Sequence, residues 1–141
     1  MRDEGLAFVD SSVLVYAYSD GKDPHAIRAR QFVTELVLQE RICTSTQVMQ
    51  ELILTLVQKK GVAMEDALNL VRALAVLPLF RVDVGAIEEA GRFSGEGKIS
   101  FLGALILTSA KRLGAGVVYS AELDHGQRFG DVEVLNPFLL S

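Results

Sequence analysis

Apolar residues come along this chain in short blocks, and the polar residues between them decide how each block reads. The first block, Leu6-Ala7-Phe8-Val9, ends abruptly in Asp10, Ser11 and Ser12, and a new apolar pattern starts at Val13. A short unbroken apolar run of this kind reads as a buried parallel strand. The pattern after it predicts a helix over 11–18, with Val13, Leu14 and Tyr16 facing inward. Asp10 then stands at the carboxyl end of a central strand, where open α/β sheets place their ligand sites. It equally suits a helix N-cap, since Asp and Ser are favoured there.

The same alternation continues. A turn cluster over 19–24 leads to a helix over 24–39, with Asp23 as cap, Pro24 in the first turn, and Ile27, Phe32, Val33, Leu36 and Val37 at helical spacing. A brief strand over 41–44 precedes a helix over 46–60, capped by Ser45 or Thr46 and stopped at Gly61. On it Val48, Leu52 and Leu56 form one stripe, with Glu51 at its border. A helix over 64–76 has no obvious cap. A strand over 79–82 follows Pro78, and Asp83 caps a helix carrying Ile87, Ala90 and Phe93. A loop over 94–98 leads to Ser100, which caps a helix over 101–113 that is apolar on nearly every side and so reads as buried. Gly114-Ala115-Gly116 ends it. A strand over 117–119, a polar loop over 120–126 and a strand over 132–135 complete the chain before Asn136-Pro137. Alternating strands and helices predict an α/β fold, a three-layer α/β/α sandwich around a central parallel sheet. With no repeat and no linker, residues 1–141 read as a single domain.

Composition narrows the class. Half of the 141 residues are apolar and the mean hydropathy is +0.30, the balance of a compact chain. No apolar run reaches the ~18 residues of a membrane span. Met1-Arg2-Asp3-Glu4 lacks the apolar segment of a secretory signal, so a cytoplasmic location is the default expectation. Cys43 is the single cysteine, which excludes an intramolecular disulfide and a cysteine-only metal cluster. The net charge of −4 offers no global attraction to nucleic acid. Any such role must rest on local basic residues or on bound cations.

Four acids carry the candidate chemistry: Asp10, Glu51, Glu122 and Asp124. Asp10 and Glu122 each follow a buried apolar strand, and in a parallel sheet those ends share one edge. Glu51 lies early on a helix that starts from the same edge. Carboxylates converging without cysteine or paired histidine favour a hard cation, Mg²⁺ or Mn²⁺, and such a site suits phosphodiester hydrolysis. Each acid also has an ordinary reading, as a cap, a solvated helix residue or a loop acid. His25 and His125 read as surface or capping residues. Lys59-Lys60 and Lys111-Arg112 read as solvated helix ends, positions from which phosphates can also be reached. Gly114-Ala115-Gly116 follows a helix instead of opening one, so it is no dinucleotide fingerprint.

Four segments carry a family resemblance: Phe8-Val9-Asp10-Ser11-Ser12-Val13-Leu14-Val15-Tyr16, Ser45-Thr46-Gln47-Val48-Met49-Gln50-Glu51, Ile99-Ser100-Phe101-Leu102-Gly103-Ala104-Leu105-Ile106 and Tyr119-Ser120-Ala121-Glu122-Leu123-Asp124-His125-Gly126-Gln127. In order and spacing they resemble the signature segments of PIN domains, most of all the VapC toxins of toxin–antitoxin pairs. The resemblance implies a parallel-sheet α/β/α fold and a metal-dependent endoribonuclease that cuts RNA with Mg²⁺ or Mn²⁺ held by acids. The first acid maps onto Asp10, the second onto Glu51 and the fourth onto Glu122, supplemented by Asp124. The hydroxyl after the last core strand maps onto Ser120, and Ser12 stands where many members carry Asn. The resemblance further implies a homodimer and silencing by a VapB-like antitoxin.

One departure stands out. The third acid of the family falls on Gly103, which has no side chain to offer a metal. Two functions are therefore weighed: a VapC-like toxin ribonuclease, active or weakened, and a non-catalytic PIN-fold protein that binds RNA or a partner. Ile53, Leu54 and Val57 fall outside the Val48-Leu52-Leu56 stripe, a surplus of apolar residues that also points to a dimer interface.

Overall fold

The computed structural model describes residues 5–19, 21–97 and 99–140. The reading of residues 1–4, and the parts of two predicted turns at Asp20 and Lys98, lie outside the described residues.

Six strands form one sheet in the order β3-β2-β1-β4-β6-β5, with β1 at Ala7–Val9, β2 at Ile42–Ser45, β3 at Leu79–Phe80, β4 at Val117–Tyr119, β5 at Arg128–Phe129 and β6 at Val132–Leu135. All neighbours pair in parallel except β5 and β6, which form an antiparallel hairpin. The helices are α1 at Ser11–Ala17, α2 at Pro24–Leu38, α3 at Thr46–Ile53, α4 at Met64–Leu74, α5 at Val84–Glu96 and α6 at Phe101–Leu113. A π-helical turn, Leu54–Lys59, continues α3, and a 3₁₀ turn, Pro137–Leu139, follows β6. This is the predicted mostly parallel α/β architecture.

Local chemistry explains the ends of the elements. Asp23, Ser45, Asp83 and Ser100 each accept a backbone N–H of the helix they begin, which satisfies an otherwise orphaned donor. Gly61 and Gly114 close the third and sixth helical segments with φ of 70° and 76°, the left-handed turn that glycine adopts without strain. The core is built where strand and helix faces meet: Phe8, Val9, Leu14, Val48, Leu52, Val118 and Val134 are fully buried. Cys43 lies there too, and burial pushes its thiol up to about 12, leaving it unreactive.

Several inward assignments are corrected. Tyr16, Ile27, Val37 and Ile87 are 37%, 44%, 46% and 44% exposed, while Ala26, Ala29 and Ala86 are buried in their stead. Helix pairs that approach closely select small residues at the contact, so the buried face is rotated from the stripe of large residues. Helix α5 runs on through residues 94–96, which were expected to be loop. The β5–β6 hairpin was not anticipated, since its first strand is only two residues long.

Strand order places the functional edge. From β1 the chain moves outward through β2 and β3, then returns to the other side of β1 through β4 and β6. The reversal lies between β1 and β4, and crevices at such switch points are where open α/β sheets bind ligands.

Candidate active site

Register brings two distant residues together at that switch point. Val9 pairs with Tyr119, so Asp10 and Ser120, each one residue further on, leave the sheet side by side. Ser120 Oγ donates to Asp10 Oδ2 at 2.8 Å and Ser12 Oγ donates to the same oxygen at 3.1 Å. The Ser11 N–H donates to Asp10 Oδ1 at 2.7 Å, so Asp10 is a helix cap as well as a site residue. Ser120 Oγ in turn accepts the N–H groups of Glu122 and Leu123, and Ser12 Oγ accepts that of Ala121. The loop after β4 is thereby tied to the carboxylate.

The second acid is held from both sides. Ser11 Oγ donates to Glu51 Oε1 at 3.0 Å. Gln47, one helical turn earlier on α3, donates from Nε2 to Glu51 Oε2 at 3.0 Å and to the Leu102 carbonyl at 3.1 Å. Gln47 is buried, and its Oε1 has no partner among the described residues. Neither Ser11 nor Gln47 was singled out from the sequence. For Gln47 a signal existed, because a residue four before Glu51 on a helix shares its face.

Electrostatics mark Asp10. It is 3% exposed, and burial raises its carboxyl from the ordinary 3.8 to about 6. The negative charge of Glu51 pushes the same way, against the hydrogen bonds from Ser120, Ser11 and Ser12. A buried carboxylate perturbed by burial and by a second carboxylate, in a cleft, has the environment of a functional group.

Asp10, Glu51 and Glu122 all line one cleft of about 610 Å³, together with Ser11, Thr55, Gln58, Lys59, Leu123 and Gly103. Their roles are unequal. The Glu122 side chain is exposed, and among the described residues no three acidic, histidine or cysteine side chains converge closely enough to hold a metal ion. The expected ligands Asp10, Glu51 and Glu122 thus share the cleft without closing on one point, and Ser11 links Asp10 to Glu51. Glu122 is set apart because its backbone, not its side chain, is bound to Ser120. Asp124 is exposed and does not line the cleft. The oxygen donors that line the cleft, the Asp10 and Glu51 carboxylates, fit a hard cation held by one or two carboxylates plus water and phosphate. They do not form a closed cage.

Gly103 is buried on α6, at the wall of the cleft. A Cβ placed there would lie 3.0 Å from Leu123 Cδ2, 3.1 Å from Ile99 Cγ1 and 3.1 Å from Ser100 Oγ. Leu123, Ile99 and Ser100 together crowd the first carbon of any side chain at position 103. A larger cavity, about 860 Å³, lies at the opposite end of β4 and β6, among residues of α5, α6 and the hairpin. Its charged residues, Glu89, Glu96 and Asp131 against Arg92, Lys111 and Arg128, balance in sign, so it lacks the unbalanced charge of the acidic cleft.

Parallel sheet, switch-point crevice and a buried acid paired with a half-buried one define a class, and the PIN domain family model matches residues 7–128 of the chain. The chain belongs to the PIN domain family. Among solved structures it is similar to the sarcin–ricin-loop-cleaving toxin VapC20 of Mycobacterium tuberculosis, at 22% identity over 84% of this chain and 91% of that one, with a TM-score of 0.67. It is similar to FitAcB of Neisseria gonorrhoeae at 18% identity, 96% and 100% coverage and a TM-score of 0.68. A DNA-bound VapBC complex of Salmonella typhimurium matches at 18% identity, 94% and 98% coverage and a TM-score of 0.65. At these identities the likeness is one of fold. No curated protein matches the chain in sequence.

Proposed function

We propose that the protein is a metal-dependent endoribonuclease of the VapC type, a toxin whose activity is restrained by a VapB-like antitoxin. The observation that carries this reading is the pairing of Asp10 and Glu51, each oriented by hydroxyl and amide donors, in one open cleft at the switch point. Those donors hold the two like charges close together at a cost that a cation would offset. Asp10 and Glu51 would hold Mg²⁺ or Mn²⁺, and when bound the ion supplies Lewis-acid activation of water and phosphate. Ser120 and Ser12 keep the Asp10 carboxylate in place, and Ser11 and Gln47 do the same for Glu51. Glu122, at the rim, orients incoming water or substrate.

RNA is the proposed substrate, and a toxin of this kind acts in the cytoplasm. No helix among the described residues is long and apolar enough to cross a membrane. The test is a titration of Mn²⁺ or Mg²⁺ against cleavage of total RNA. Cleavage should require the ion, and Glu51→Gln should lower it at least tenfold, as outer-shell partners of metals already do. Metal-independent cleavage, or cleavage indifferent to Glu51→Gln, would remove this reading.

A non-catalytic PIN-fold protein that binds RNA or a partner is the second reading. Gly103, with Leu123 packed over it, favours it. A buried carboxylate, Asp10, held beside a second, half-buried one, Glu51, weighs against it, because binding alone gives no reason to retain the pair.

We further propose a homodimer. Leu54, Met64 and Val76, from the stretch that follows α3, are 54%, 49% and 84% exposed. Isolated exposed apolar residues are ordinary, but several on neighbouring elements suit an interface. Light scattering at micromolar concentration should give about twice the 15.4 kDa chain mass; the monomer mass would exclude the dimer.

A further inference from the structure

The helix that carries Glu51 does not continue as an ordinary α-helix. After Ile53 it widens into the π-helical turn Leu54–Lys59, in which the Lys60 N–H donates to the Thr55 carbonyl five residues back, at 3.2 Å. The widening changes which side chains share a face. In an α-helix Lys59, eight residues after Glu51, would lie about 80° away from it. A π turn holds more residues than an α turn, so each residue advances by a smaller angle and Lys59 comes back toward the face that carries Glu51. Glu51, Leu54, Thr55, Gln58 and Lys59 accordingly all line the cleft. π turns are rare and frequently mark functional sites.

Among the described residues Lys59 is the only cationic one lining that cleft. It is exposed and makes no ion pair among the described residues, in contrast to Arg72, Lys111, Arg112 and Arg128. Its neighbour Lys60 lies outside the cleft lining. The opposite wall, where a third acid is missing, is apolar: Leu102, Ile106 and Leu123 over Gly103. One wall therefore carries a free ammonium, the floor two carboxylates, and the far wall hydrocarbon. A polyanion entering such a cleft meets repulsion at the acids and attraction at Lys59.

We infer that Lys59 is a substrate-positioning residue, turned into the cleft by the π-helical turn to hold a backbone phosphate of single-stranded RNA next to the bond being cut. The inference rests on the nuclease reading above and adds the residue that holds the strand. As a point charge with three donors, a lysine grips phosphate without reading sequence, so its contribution is to affinity and register.

The test uses the full chain and a fluorescein-labelled twelve-nucleotide single-stranded RNA, with EDTA present to prevent cleavage. Anisotropy gives the dissociation constant over a series of NaCl concentrations. Losing one phosphate contact lowers the slope of log affinity against log salt by about 0.7 for a single strand. Lys59→Met should show that drop and weaken binding at least fivefold at low salt, whereas Lys59→Arg and Lys60→Met should stay near the native protein. In the Mn²⁺ cleavage assay Lys59→Met should raise KM with little change in kcat. Equal effects from Lys59→Met and Lys60→Met, or no effect from either, would overturn the role of Lys59 while leaving the metal-dependent cleavage untouched. Absence of salt-dependent RNA binding by the native protein would overturn the role of Lys59, and absence of Mn²⁺-dependent cleavage would overturn the nuclease reading.

Discussion

The Asp10→Asn protein is expected to be inactive and yet more stable than the native chain. RNA cleavage in Mn²⁺ should fall at least about a hundredfold, more than the loss of an outer-shell partner causes. The stability effect has the opposite sign because the Asp10 carboxyl titrates at about 6 in the fold against an ordinary 3.8. A group whose folded pKa is raised binds its proton more tightly in the native state, so native stability falls as pH rises from about 4 through 6 and stays low above it. The charged carboxylate thus destabilises the metal-free protein by about 3 kcal/mol at neutral pH. Asn removes that charge and keeps the bond from the Ser11 N–H, but its amide hydrogens face the Ser120 and Ser12 hydroxyls, which must reverse. A net gain of about 1 kcal/mol remains, or about 2–4 °C in Tm at pH 7. Thermal melts at pH 7 and pH 4 check this. The variant should melt higher than the native protein at pH 7, and the order should reverse at pH 4, where Asp10 is protonated in the fold and only the cost of reversing the hydroxyls remains. Mn²⁺ should raise the Tm of the native protein alone. A variant less stable than native at pH 7 would mean that Asp10 is a structural cap first, with no stored repulsion.

Restoring an acid at position 103 is the change with the largest expected gain, and the structure shows why a single substitution will not deliver it. Any side chain there meets Leu123, Ile99 and the capping Ser100 hydroxyl at 3.0 to 3.1 Å. Overpacking of this kind costs about 1–3 kcal/mol, which outweighs the gain of about 1 kcal/mol from replacing a mid-helix glycine. Gly103→Ala should therefore lower stability by about 1 kcal/mol, and Gly103→Asp by about 2–3 kcal/mol without metal, since it also adds a charge beside Glu51 and Asp10. The relief lies in Leu123, whose Cδ2 is the nearest obstacle and the free end of a flexible chain. The double variant Gly103→Asp/Leu123→Ala should recover at least about 1 kcal/mol relative to the sum of the single changes. It should bind Mn²⁺ more tightly and cleave RNA at least tenfold faster than Leu123→Ala alone. Additive stabilities, with metal affinity and cleavage unchanged, would show that position 103 is not part of the metal site.

Much of the molecule can be read locally. The strand at Phe8–Val9 and the caps at Asp23, Asp83 and Ser100 depend on interactions within a few residues, so the chain order alone reveals them. The glycine stops at Gly61 and Gly114 belong to the same group, because a left-handed turn is a property of one residue. Burial is less legible. Large apolar residues at helical spacing, such as Ile27 and Ile87, are exposed, and alanines beside them are buried. The depth of a helix face is set by how near its neighbour comes, which no periodicity within the helix records.

The site divides along the same line. The sequence by itself determined the candidates for chemistry: an acid after each of two buried strands, an acid early on a helix and, by family resemblance, a glycine where a third acid is expected. Only the tertiary structure decided how they act together. The β1–β4 register sets Ser120 against Asp10 across 110 positions of chain. The packing of α3 beside α1 joins Ser11 to Glu51, and a buried amide on α3 completes that clamp. The loop after β4 leaves Glu122 at the rim and lays Leu123 over Gly103. A π-helical turn brings Lys59 to the cleft wall. Each of these depends on contacts between segments far apart in the chain, and the free energy of such contacts is settled only when the whole sheet and its helices have packed.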